Sequence, residues 1–131
     1  MHYDRRMSII LGNVAATAAI GRAWLDAFNA HDVDALVALY ADDATHTSPK
    51  IRALHPATGG KLIGKPALAA WWRDANARLP GLRYEPTAIV ADEARVLIEY
   101  LRHAPNEPPM PVAEAFDVRD GKIVASRVYH G

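Results

Sequence analysis

Glu114, Arg102 and Tyr100 fall in two neighbouring runs, Arg95 to His103 and Pro111 to Arg119, that read as strands. Their chemistry depends on how they meet. A carboxyl removed from water keeps its proton to higher pH, and a guanidinium beside it has the opposite effect. Buried and unpaired, Glu114 is a proton donor or a base near neutral pH. Paired with Arg102 it stays ionised, and the two form a cross-strand ion pair. His46 and Ser48 lie two positions apart, and an imidazole beside a hydroxyl or a water suits acid–base work. His130 lies one residue from the C-terminus, where chains fray, and His31 and His55 fall in turns. The histidines show no H-x-x-x-H spacing, so no metal is expected. A triad of Ser48, His46 and Glu114 lacks the sharp nucleophile-elbow turn that would expose the serine.

The elements that position these groups belong to a chain of 131 residues, the size of one domain. Half the residues are apolar, enough for a core, and 15 basic residues balance 15 acidic ones. That balance provides no basic field for nucleic acid or an anionic membrane, so neither is expected as a partner. Cysteine is absent, which excludes disulfides, thiolate metal sites and a cysteine nucleophile. It also suits a reducing compartment, and a cytoplasmic location is expected. Met7 to Ile20 weakly imitates a secretory signal, but Gly12 and Asn13 interrupt it and it runs into a helix that the core requires. Residues 1–13 are expected to be a loose segment before a single domain. No run approaches the ~18 apolar residues of a membrane span.

Ile20, Ala23, Trp24, Ala27 and Phe28 recur at helical period, and Asn29 to Asp32 breaks that helix. Asp32 is a good N-cap for a second helix carrying Val33, Leu36, Val37 and Tyr40, which ends at Asp42-Asp43. Ala44 to Ser48 reads as a short strand stopped by Pro49. Gly64-Lys65-Pro66 opens a third helix with Leu68, Trp71, Trp72, Ala75 and Leu79, ended by Pro80-Gly81. Four strands follow: Leu82 to Val90, Arg95 to His103, Pro111 to Arg119 and Lys122 to His130. Asp120-Gly121 joins the last two as a two-residue hairpin. Helices first and an antiparallel meander after is an α+β order.

The stretch Ala27 to Thr45, with its Phe28-Asn29-Ala30-His31-Asp32 core, the Gly64-Lys65 helix start and the closing Asp-Gly hairpin resemble the nuclear transport factor two-like superfamily. That superfamily includes SnoaL-like polyketide cyclases and Δ5-3-ketosteroid isomerases. The resemblance implies a cystatin-like cone: a curved antiparallel sheet wrapped by three N-terminal helices, with one pocket in its concave face. It also implies, position by position, where isomerase groups would fall. The helix tyrosine is Trp24 here, the aspartate after the second helix is Ser48, and the strand acid is Glu114. Indole and serine cannot replace a phenol and a base, so isomerase chemistry by that route is not expected. Limonene-type epoxide hydrolases use two carboxylates around an arginine, and only one candidate acid is present.

Strand alternation in such a cone puts Val112, Glu114 and Phe116 inside, with Val96, Ile98, Tyr100 and Arg102, and Ser126, Val128 and His130. The expected pocket joins an aromatic wall of Trp24, Phe28, Tyr40, Phe116 and one of Trp71 and Trp72 to a polar set of Glu114, Arg102, Tyr100, His46, Ser48 and His130. Trp71 and Trp72 point about 100° apart on a helix, so one caps the pocket and the other packs outside. The opposite face, with Leu97, Leu101, Ala113, Ala115, Ile123, Ala125, Val90 or its neighbour, and Tyr129, is apolar and uncovered. It is expected to pair a homodimer. The leading reading is a SnoaL-like protein that binds an apolar, oxygenated small molecule and performs a cofactor-free isomerisation, cyclisation, dehydration or hydrolysis. Glu114, His46 and Arg102 would be its catalytic groups. The alternatives are a non-catalytic binder and a dimeric interaction module. A cavity with unpaired Glu114 and His46 favours the enzyme, mutual pairing of the polar groups favours the binder, and a filled core favours the module.

Overall fold

The structure is a computed structural model that describes residues 5–131. A six-stranded sheet forms its frame, in the order β2-β1-β6-β5-β4-β3. The strands are β1 (Tyr40–Thr47), β2 (Lys61–Ile63), β3 (Arg83–Ala91), β4 (Arg95–His103), β5 (Met110–Arg119) and β6 (Lys122–His130). Every neighbouring pair is antiparallel except β1 with β6, which is parallel. Asp120 and Gly121 join β5 to β6 at φ 52° and 75°. Both lie in the left-handed region that a tight two-residue hairpin requires, and glycine enters it without steric cost.

Four α-helices stand beside this sheet among the described residues: α1 (Arg5–Asn29), α2 (Val33–Val37), α3 (Pro49–Leu54) and α4 (Lys65–Arg78). The buried face of α1 carries Thr17, Gly21, Trp24, Leu25, Ala27 and Phe28, so the apolar stripe is rotated slightly from the one expected and Ala23 lies outside. Residues 5–13 were expected to be loose. They are helical, with every side chain exposed, and the first four residues lie outside the described ones. By length and apolarity α1 could also cross a bilayer, contrary to the expectation, although its C-terminal half packs into the core.

Asn29 explains its place after the first helix. Its side-chain amide donates to the Tyr84 carbonyl and accepts from the Tyr84 N–H, both at 2.8 Å. The end of α1 thereby grips β3 in the manner of a strand partner. Asp32 caps α2 as expected, its carboxylate accepting from Ala35 N–H at 3.0 Å. That helix is shorter than the sequence suggests. Tyr40 is not on it but opens β1, opposite Ile123 of β6, because the ladder to β6 and the strand preference of an aromatic residue outweigh the helical spacing. Pro49 does stop β1, and it does so as the first residue of α3, with Ser48 as N-cap. A register shift near Asp117 and Val118 turns Ile123 inward, fully buried, where simple alternation had it facing out.

The helix approaches the sheet closely at Gly21, where an added Cβ would meet the Val96 methyl at 2.9 Å. Val96 is stiff and fully buried, so it cannot yield easily. Gly21→Val is expected to lower stability by about 1–3 kcal/mol in urea unfolding, the usual cost of overpacking. An unchanged midpoint would mean that α1 does not press on the sheet there.

Candidate functional site

The concave face of the sheet and helices α1, α3 and α4 enclose a cavity of about 280 Å³. One wall is a continuous aromatic stack. Trp24 lies on Phe28 (ring centroids 5.1 Å apart), Phe28 on Tyr84 (3.8 Å) and Tyr84 on Tyr100 (4.1 Å), all within 16° of parallel. Rings in this arrangement offer a flat apolar surface and gain from mutual contact.

Glu114 stands inside this cavity, fully buried, on β5 between the inward-facing Val112 and Phe116. One carboxyl oxygen accepts from the Tyr100 hydroxyl at 3.0 Å. The other, Oε2, is buried with no hydrogen-bond partner among the described residues. Arg102 is not paired with Glu114. It sits opposite Met110, four residues or about 13 Å further along β5, and donates to Glu107 at 3.3 Å. Burial raises the Glu114 carboxyl to about 8, an effect that the Tyr100 hydrogen bond only partly offsets. Burial and the nearby Glu114 charge likewise lift the Tyr84 and Tyr100 hydroxyls well above their ordinary values. The carboxyl therefore carries its proton at neutral pH.

His46 reaches the cavity from β1, and a buried chain of hydrogen bonds holds it. Trp24 Nε1–H donates to Tyr40 Oη at 3.1 Å, Tyr40 Oη meets Ser126 Oγ at 2.9 Å, and Ser126 Oγ meets His46 Nδ1 at 2.6 Å. Indole can only donate, so the Tyr40 proton has Ser126 as its one acceptor in this chain. With the Ser126 proton directed to His46 Nδ1, the single N–H of the neutral ring lies on Nε2, which has no protein partner among the described residues; the other tautomer would have Ser126 accept from Nδ1–H. Burial lowers the imidazole to about 4, so it stays neutral at physiological pH.

The other expected site residues divide by depth. Phe28, Trp24, Tyr100 and both tryptophans of α4 line the cavity. Trp72 is buried against Trp24, Tyr40 and His46, and half-buried Trp71 lies near the rim against His55, so neither packs wholly outside as expected. Tyr40 and Phe116, expected in the wall, lie beneath it and do not touch the cavity. Ser48 lines it, but its hydroxyl accepts from Lys50 N–H at 3.1 Å as the cap of α3. His130 is at the mouth and largely exposed, its pKa lowered by partial burial and by the charges of Lys50 and Arg102.

Sequence reasoning missed Tyr84, Lys50 and the partnership of Ser126 with His46. The alternation that put Ser126 inside was the signal for it, since a buried hydroxyl needs a partner. Tyr84 was not assigned to a face from the sequence, and its strand carries a register shift between Pro86 and Ala88 that interrupts simple alternation. Among the described residues no group of three or more His, Cys, Asp or Glu side chains is arranged to hold a metal ion.

The chain belongs to the SnoaL-like family: the model of the SnoaL-like domain matches residues 21–126. A SnoaL-like protein of unknown function from Burkholderia thailandensis is similar at 31% identity, over 89% of this chain and 95% of that one, with a TM-score of 0.79. A protein of unknown function with a cystatin-like fold from Methylobium petroleophilum shares 25% identity over 90% of this chain and 77% of its own, at TM-score 0.75. TerC, co-crystallised with polyporic acid, shares the fold at 16% identity and TM-score 0.76, over 88% of this chain and 92% of its own. No curated protein matches the chain in sequence.

The two perturbed groups give the stability a definite dependence on pH. The unfolded chain releases the Glu114 proton near 4.5 and the native protein near 8, so between these values the unfolded state binds fewer protons. The Glu114 contribution to stability therefore falls as pH rises from about 4.5 to about 8. His46 acts in the opposite sense at lower pH. The unfolded state takes up its proton near 6.5 and the native state near 4, and stability falls as pH drops between them. Glu114→Gln mimics the protonated acid and removes the first dependence. The variant is expected to match the parent near pH 5 and to exceed it at pH 8 by roughly 2–5 kcal/mol in urea unfolding. A difference that does not change with pH would contradict the raised carboxyl.

Proposed function

We propose that the protein binds a small apolar, oxygen-bearing molecule in the cone and moves a proton on it without a cofactor, with Glu114 as the acid–base group. One observation carries this reading: a fully buried carboxyl with one oxygen held by Tyr100 and the other turned to no protein group. An acid that stays protonated to about 8 can protonate or polarise an oxygen at neutral pH, and its conjugate base can recover a proton from carbon. Tyr100 stabilises the charge that appears on the carboxylate. His46, a neutral donor fixed by Ser126, supplies a second hydrogen bond to an oxygen of the same ligand. Polar groups satisfied by one another would favour a passive binder. Two inward atoms without protein partners favour acid–base work instead. The polyporic acid crystallised with TerC lends support to a small-molecule occupant for this fold.

We also infer a homodimer through the outer sheet face. Val90 and Tyr129 are exposed there, Leu97 and Leu101 are half-buried, and Asp117 pairs with both Arg95 and Arg127 at 2.8 and 2.9 Å. An apolar face whose charges are already paired suits a second copy of itself. Sedimentation at micromolar concentration is expected to give a dimer, and a monomer would overturn this reading.

The acid–base assignment is tested by α-proton exchange of apolar ketones such as 2-tetralone in heavy water, followed by NMR. The protein is expected to accelerate exchange, and Glu114→Gln to reduce the acceleration by about a hundredfold or more with little change in ligand affinity. Unchanged exchange in the variant rules Glu114 out. Binding without acceleration points to the passive binder.

A further inference from the structure

The interior of the cavity is apolar and neutral, but its mouth is not. Arg102 leaves β4 with its side chain 9% exposed, and its one ion-pair partner among the described residues is Glu107 at 3.3 Å, whose side chain is 43% exposed. A guanidinium carries five N–H donors in a planar fork, and its contacts with Glu107 and the Tyr84 hydroxyl leave part of that fork for a ligand. Lys50, half-buried in the first turn of α3, lines the same mouth, and its ammonium has no acid partner among the described residues. Arg78 lines the cavity as well, but Asp74 holds it at 2.7 Å, so it brings no excess charge. His130 completes the rim in its neutral form, the positive charges of Lys50 and Arg102 being among the causes that lower its pKa. Two cations therefore face one half-exposed carboxylate across the mouth. At the far end stand Glu114, which is protonated, and His46, which is neutral.

We propose that this site selects an amphipathic carboxylate: the apolar body lies on the Tyr84–Tyr100 wall, the carboxylate is held between Arg102 and Lys50 at the mouth, and the opposite end meets Glu114 and His46. The inference rests on the reading of the cavity as a small-molecule site and adds the charge of the molecule and its orientation. Arg102 suits the task because a guanidinium fork binds a carboxylate through two parallel hydrogen bonds while keeping its contact with Glu107. The orientation follows from the same division of charge. A carboxylate driven inward would meet an apolar floor and a carboxyl that already resists ionisation, whereas at the mouth it meets uncompensated cations and water. A neutral apolar molecule would leave those cations unused and gain nothing from them.

The test compares 2-naphthoate with 2-naphthamide, which match in shape and differ by one charge, using isothermal titration of the full-length protein. The naphthoate is expected to bind at least about tenfold more tightly. Lys50→Gln is expected to reduce that preference and Arg102→Gln to remove it, with naphthamide affinity changed little in both. Melting curves report whether each variant folds, and the half-buried position of Lys50 at the mouth, outside the core, keeps the test decisive if Arg102→Gln does not. Naphthamide binding within about twofold of naphthoate overturns the proposed charge selection and leaves the small-molecule reading intact. A preference that survives in Lys50→Gln and in a folded Arg102→Gln overturns it as well. Failure of both compounds to bind would overturn the charge selection and count against the cavity as a small-molecule site.

Discussion

Trp24 is the residue on which the inside of the cone depends. Its ring contacts Phe28, Tyr84, Phe116 and Trp72, with centroids between 5.1 and 6.4 Å, and it is 1% exposed. These contacts join the first helix, the fourth helix and strands β3 and β5 at one point. Its single polar atom is satisfied by Tyr40, which starts the chain of hydrogen bonds that ends at His46. One indole thus seals the floor of the cavity and sets the orientation of a histidine two strands away from Glu114. The indole serves packing here, and the hydroxyl it meets belongs to Tyr40.

A sealed floor determines the behaviour of the acid above it. A carboxylate in that position would lose most of its hydration, and one tyrosine hydroxyl does not replace it. The proton therefore stays on. Arg102 would cancel this effect if it reached Glu114, and the fold prevents that by placing it four residues further along the ladder, beside Glu107. The arrangement separates two electrostatic environments within one small cavity, a neutral hydrogen-bonding end and a cationic mouth. The protein is less stable with Glu114 than with a neutral group there at pH above neutrality, which is the usual relation between a reactive group and the fold that holds it.

Most of the frame was legible because it follows from periodicity and turn chemistry. The stripe through Trp24 and Phe28, the Pro66 helix start and the Asp120-Gly121 hairpin are local signals, and alternation along β4 and β5 put Tyr100, Arg102 and Glu114 on the correct face. The errors arose where tertiary pairing overrides local pattern. Tyr40 fits a helical stripe, yet pairing with β6 draws it into a strand. Ser48-Pro49 reads as the end of a strand, and the same two residues also cap and open a helix. The bulge near Val118 reverses the face of Ile123, an event that alternation cannot register. For the site, the sequence narrowed Glu114 to two states, paired or unpaired, and could not decide between them. That choice depends on which of two acids, Glu114 or the loop residue Glu107, lies nearer one guanidinium, and no local signal encodes that distance. Ser126 was visible as an inward hydroxyl, but its link to His46 joins strands 80 residues apart in the chain.

The central claim is that Glu114 holds a proton at neutral pH where it lines a buried cavity. Carbon-detected NMR of protein labelled at the glutamate side-chain carboxyl, assigned by loss of the signal in Glu114→Gln, reads that proton directly. The account predicts a carboxyl resonance that titrates with a midpoint near 8, clear of the other glutamates. A midpoint near the ordinary value of 4.5 would contradict it.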